Sequence, residues 1–144
     1  MCSPFDSFTT ENAVVWIDPL DGTSDYCRGN ISAVTVLVGL TINDRSRAGV
    51  VHVPFAEGKD FGETFFGTGE HGAFKVDYHG VDSLQNNTRT PLYLPPYTDN
   101  IPADFKVRVA VSSNRPAPKE QMDAIAPSEG IGLGGCGNKC ATLI

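Results

Sequence analysis

The chain has 144 residues, 40% of them hydrophobic, with a net charge of −6. That length and composition suit one globular domain with its own core and set disorder aside. The acidic balance argues against a nucleic-acid polymer as partner, but not against a small anion, which needs only a local positive site or bound cations.

In chain order, the start MCSPFDSF has neither the basic residues nor the apolar core of a secretory signal. The continuous apolar run 14–17 reads as a strand buried on both faces, with Trp16 in the core. The run AVTVLVGLTI, 33–42, is β-branched and aliphatic and predicts a central strand. The polar turn NDRSR, 43–47, leads to a strand over 49–53 stopped by Pro54, so these two strands are expected as an antiparallel hairpin. Segments 63–67 and 72–78 form a second pair around GTGEHG. Residues 79–104 carry four prolines and read as a long connection with at most a short strand at 91–94.

FKVRVAVS, 105–112, alternates as a strand should. Asn114 and Pro116 can open a helix over 114–126, and a second helix starts near Gly137. No apolar run is long enough to span a bilayer, so no membrane partner and a cytoplasmic setting are expected. Cys2, Cys27, Cys136 and Cys140 form no C-x-x-C pair and read as reduced thiols, with Cys136 and Cys140 able to meet on one helical face. Many strands followed by two strand–helix units predict an α/β or α+β layered fold.

Chemistry concentrates in VVWIDPLDGT, 14–23. Asp18 falls at a strand's end, Pro19 forces a turn, and Asp21 follows on it. Gly22 permits a backbone geometry barred to other residues, and Thr23 and Ser24 can cap a helix whose N–H groups attract anions. With a free carbonyl at Leu20, these oxygens suit a hard cation such as Mg²⁺. The same hexamer also makes a plain turn followed by a cap. GLGGCGNKCATLI, 132–144, is a glycine-rich loop entering a helix with Lys139 in its first turn. A cation there opposes the helix dipole, and is better explained by an anion held between it and the glycine backbone than by the dipole itself. A solvated lysine on a flexible loop is the plain alternative. His52 reads as a satisfied core histidine, His71 and His79 as solvated, and Asp77 and Asp82 as surface charges.

WIDPLDGTSDY resembles the metal-binding signature of the inositol monophosphatase superfamily, the lithium-sensitive, Mg²⁺-dependent phosphomonoesterases. VTVLVGL with AGVVHVPF is similar to the strand pair that follows it in 3′(2′),5′-bisphosphate nucleotidases, and GGCGNK to their nucleotide-side glycine loop. The resemblance implies an α/β (α+β) layered sandwich of the sugar-phosphatase type, of which this chain covers the central part. It implies that Asp18 bridges two Mg²⁺ ions (two or three in the full-length enzyme), and that the Leu20 carbonyl and the Asp21 carboxylate each bind one. Gly22 and Thr23 would present N–H groups to the phosphate, and the Thr23 hydroxyl would position the attacking water. Ser112, Arg115, Gly135 and Lys139 would contact the nucleotide side. Those nucleotidases tend to have Ser-His where this chain has Asn114-Arg115; an arginine suits a second phosphate.

The family's paired glutamates lie upstream of its signature and its third metal aspartate, in a Trp-Asp motif, downstream; neither is present here, and Glu11 stands too close to Asp18 to replace the glutamate. The chain also ends on an apolar run without a C-cap. Residues 1–144 are therefore expected to be the central portion of a phosphatase domain, without its N-terminal helical part and C-terminal subdomain, and weakly active or inactive in isolation. The expected reaction is hydrolysis of 3′(2′)-phosphoadenosine 5′-phosphate to AMP by metal-activated water. The alternatives are inositol polyphosphate 1-phosphatase or inositol monophosphatase activity, or an inactive phosphate-binding remnant. The expected partner is a small phosphorylated substrate; the oligomeric state is left open.

Overall fold

The computed structural model describes residues 10–84, 88–92, 107–112, 120, 124 and 128–143. Six strands pair in sequence order as one antiparallel sheet: β1 (Ala13–Asp21), β2 (Thr35–Ile42), β3 (Arg45–Val53), β4 (Glu63–Thr68), β5 (Gly72–Asp77) and β6 (Thr90–Leu92). A second sheet joins β7 (Val107–Ser112) to β8 (Ser128–Leu133) in parallel. Helix α1 (Thr23–Cys27) follows β1, and α2 (Cys136–Leu143) follows β8. α2 packs on β2 and β3 and also touches β7, giving the helix-on-sheet layering expected of the fold class.

The β2–β3 hairpin turns through Asn43 and Asp44 alone, with φ of 52° and 59°. Such a two-residue turn matches the twist of the flanking strands, so the ladder resumes at once with Ile42 opposite Arg45, and β3 starts earlier than the sequence suggests. The β4–β5 pair forms as expected. The described part of 79–104 holds a short 3-10 turn, Val81–Leu84, and β6. Most of the helix expected over 114–126 lies outside the described residues; Glu120 and Ala124 within it are joined by a helical N–H to carbonyl bond of 3.1 Å. No described helix is long and apolar enough to cross a membrane.

Among the described residues the buried side chains are Ala33, Val34, Ile42, Val53, Phe65 and Val76, with Asp25 and Thr35 the buried polar ones. The strand over 14–17 forms but is not buried. β1 is the outermost strand of its sheet, and Val14, Val15, Trp16 and Ile17 expose 45, 58, 63 and 66% of their surface. A short apolar run marks a strand without saying whether it has neighbours on both sides. Trp16 is therefore not a core residue; it lies over Gly39, and its indole N–H donates to Thr41 Oγ1 at 3.4 Å. His52 is satisfied, with Nδ1 2.9 Å from Thr64 Oγ1, and burial lowers its pKa. Asp77 is a surface charge, paired with Lys59 at 3.1 Å and Lys75 at 3.5 Å; Glu63 joins both lysines.

Candidate active site

In a regular strand, positions 18 and 21 would face opposite sides. Here Asp18 stands opposite Leu37 and Asp21 opposite Thr35, so three steps on β1 meet two on β2. This bulge contains Pro19, which has no N–H to give to a ladder. Thr35 and Leu37 share one face of β2, so the bulge returns both carboxylates to that face. It is the face α2 covers: a Cβ on Gly137 would lie 2.3 Å from Thr35 Oγ1 and 2.5 Å from Leu37 Cδ2.

Asp21 is the junction. Its Oδ2 accepts hydrogen bonds from Gly137 N–H at 2.7 Å and Thr35 Oγ1 at 2.9 Å. Burial pushes its carboxyl pKa up, but bonds from the N–H groups of Gly137 and Cys136, the Thr35 hydroxyl and the Gly22 N–H outweigh it. They hold the group below the ordinary carboxylate range. The glycine loop is what lets α2 come this close. A Cβ at Gly135 would sit 3.0 Å from Asp21 Oδ2, and one at Gly134 2.2 Å from Asp25 Oδ2. Asp25 is buried, with its Oδ1 accepting from Asn30 Nδ2 at 3.0 Å.

Asp18 is exposed, and its Oδ1 accepts the Leu20 N–H at 3.2 Å. The Leu20 carbonyl is not free, as the sequence suggests, but accepts the Thr23 hydroxyl at 3.0 Å, which leaves it one lone pair. Nor do Thr23 and Ser24 cap α1. The N-cap is Gly22, in the left-handed conformation at φ 84°, with no side-chain cap. With the Thr23 hydroxyl turned back to Leu20, the Gly22 carbonyl takes the N–H groups of Asp25 and Tyr26, each at 2.9 Å.

Asp18, Leu20, Asp21, Gly22, Thr23 and Gly135 are thus gathered at one place, with half-buried Lys139 in the first turn of α2. The backbone of Ser112 ends β7 opposite Leu133, just before the glycine loop. The Ser112 side chain and the whole of Arg115 lie outside the described residues. Thr35, Asp25 and Gly137 are the contributors that sequence reasoning misses. Thr35 had a signal, as a hydroxyl near the start of an aliphatic strand; Asp25 had only its place beside the signature. Among the described residues no group of three or more histidines, cysteines, aspartates or glutamates is arranged to hold a metal. The oxygen donors here are Asp18, Leu20 and Asp21.

The inositol monophosphatase family matches this chain over residues 3–137. The chain belongs to that family. Within it, the chain is 39% identical over 77 residues to human 3′(2′),5′-bisphosphate nucleotidase 1, covering 50% of this chain and 25% of that protein. It is 43% identical over 47 residues to the human Golgi-resident adenosine 3′,5′-bisphosphate 3′-phosphatase, covering 33% of this chain and 13% of that protein. The fold is shared with CysQ from Bacteroides thetaiotaomicron, a bacterial family member, at a TM-score of 0.58 and 22% identity, over 85% of this chain and 46% of that one. The chain thus spans less than half of the family members it matches.

Proposed function

We propose that the protein is a Mg²⁺-dependent phosphomonoesterase that removes one phosphate from a small bisphosphorylated substrate, 3′(2′)-phosphoadenosine 5′-phosphate, leaving AMP. The observation that carries the reading is the β1 bulge, which turns Asp18 and Asp21 onto one face beside the glycine-rich start of α2. The names of the two human relatives and the GGCGNK loop favour a nucleotide over an inositol phosphate.

The donor set fits a hard cation, since the Asp18 and Asp21 carboxylates and the Leu20 carbonyl are all oxygen and Asp18 faces solvent. When bound, such a cation supplies Lewis acidity at a water nucleophile and at the leaving ester oxygen. Asp21 is kept ionised by its four donors. The Thr23 hydroxyl donates a hydrogen bond to the Leu20 carbonyl and so offers a lone pair to a water hydrogen, which orients the water's own lone pair toward phosphorus. The Gly22 N–H is shared with the Asp21 carboxylate, and the Thr23 N–H joins it toward the phosphate. Ser112, Arg115, Gly135 and Lys139 hold the nucleotide side, where an arginine suits the second phosphate. It is part of the same proposal that residues 1–144 form the central portion of the phosphatase domain.

The test is phosphate release from 3′-phosphoadenosine 5′-phosphate, with an inositol bisphosphate for comparison, by this chain and by one extended on both sides. The expected result is Mg²⁺-dependent release by the extended protein, with preference for the nucleotide. Calorimetric binding of AMP with no turnover of either substrate would overturn it in favour of a phosphate-binding remnant.

A further inference from the structure

Helix α2 covers the face of β2 that carries Thr35 and Leu37, so Val36 between them faces the other way. Val36 stands opposite His52 and His52 opposite Thr64, which puts both polar side chains on the side of the sheet away from α2. There His52, Pro54, Asp60, Phe61, Thr64 and Tyr78 line a cavity of about 500 Å³, a size ordinary for a small-molecule site. The His52 and Tyr78 rings stand 6.2 Å apart between centroids and are inclined at 71°, so they meet as two walls of a corner. Phe61 is exposed. The Gly80 N–H fixes the Asp60 carboxylate by a 2.7 Å bond to Oδ2, which leaves Oδ1 to accept from a ligand.

We propose that this cavity binds a small organic ammonium ion, with Asp60 as its counter-ion and the Phe61 and Tyr78 rings against its apolar body. Among the described residues that line the cavity, Asp60 carries the one formal charge. Burial lowers the pKa of His52, so near neutrality its ring adds no positive charge, and its Nδ1 is engaged by Thr64 Oγ1 at 2.9 Å. Lys59, next to Asp60 in the chain, is committed to Glu63 and Asp77. Those two stand in register with Val53, which shares the α2 side of the sheet with Val51 and Leu37. A carboxylate in an aromatic-walled hollow attracts a cation by its charge and by the ring quadrupoles, and repels an anion. The site does not depend on the phosphatase reading, since none of its residues belongs to the signature or the glycine loop.

The experiment is an NMR titration of the chain with phenethylammonium, and with phenethyl alcohol and phenylacetate as neutral and anionic analogues of similar shape. Saturable binding of the ammonium ion is expected, moving the His52 and Tyr78 ring resonances, with an affinity at least about tenfold above that of either analogue. Asp60→Asn keeps an acceptor for the Gly80 N–H and is expected to weaken the ammonium ion at least about tenfold, whereas Glu70→Gln, on the exposed β4–β5 turn, leaves it unchanged. No saturable binding, equal affinity for the three ligands, or undiminished affinity in Asp60→Asn would overturn the proposal. The ligand comparison uses the wild-type chain, so it decides the matter even if the variant fails to fold.

Discussion

Asp21 ties the function of the site to its stability. Its folded pKa is depressed below the ordinary 3.8, so the sign is that of a stabilising carboxylate. Its contribution is fully present above the unfolded value and is lost as pH falls through the lower folded one. Asp21→Asn is expected to flatten part of the acid limb of the stability curve, read as urea midpoints between about pH 2 and 5. The amide oxygen can still accept from Gly137 and Thr35, so near neutrality the fold should lose only about 1 kcal/mol. On the proposed role of Asp21 as an ion ligand, phosphate release by the extended protein should fall on the order of 100-fold or more, far more than stability. Equal loss of turnover and stability would assign Asp21 to architecture alone. Gly134 argues similarly for the loop. A methyl there meets the buried Asp25 carboxylate at 2.2 Å, so Gly134→Ala should cost about 1–3 kcal/mol in a denaturant melt.

At the scale of elements, the β2–β3 turn was legible as polar residues between two apolar runs, but its length was not. Asn43 and Asp44 both sit at positive φ, where an ordinary side chain costs roughly 1–2 kcal/mol per residue. Asp44→Gly is expected to stabilise the chain by up to about 1 kcal/mol, visible as a higher melting temperature, and a drop instead would mean that the carboxylate has a local role. The bulge in β1 was equally hidden. The sequence brings Asp18 and Asp21 together on a turn after the strand; the structure instead carries β1 on through Asp21, and the count of β2 residues opposite them shows that a bulge is what puts them on one face. Pro19 hinted at an irregularity there without fixing which way it would turn Asp21.

At the scale of the molecule, the main misreading was of burial. Trp16 is the chain's one tryptophan and lies 63% exposed on the outer strand. Its fluorescence is expected to resemble that of indole in water and to be readily quenched by acrylamide. Trp16→Ala should cost less than about 1 kcal/mol, against about 2 kcal/mol for Val53→Ala in the core. A blue-shifted, quencher-resistant emission would show that another surface covers β1.

The sequence by itself determined the first five strands and β7, the two hairpins, and the presence of the signature and glycine loop, but not β8, whose last residues read as part of that loop. These follow from local periodicity, turn chemistry and residue type, which act over a few positions. Only the tertiary structure decided that β1 is an edge, that Thr35 and Gly137 hold Asp21, and that Gly134 must yield to Asp25. Gly137 is 116 residues from Asp21, and no local propensity carries a hydrogen bond across that distance. Such contacts arise when α2 settles on β2, and the glycines matter because two backbones and a carboxylate must share one small space.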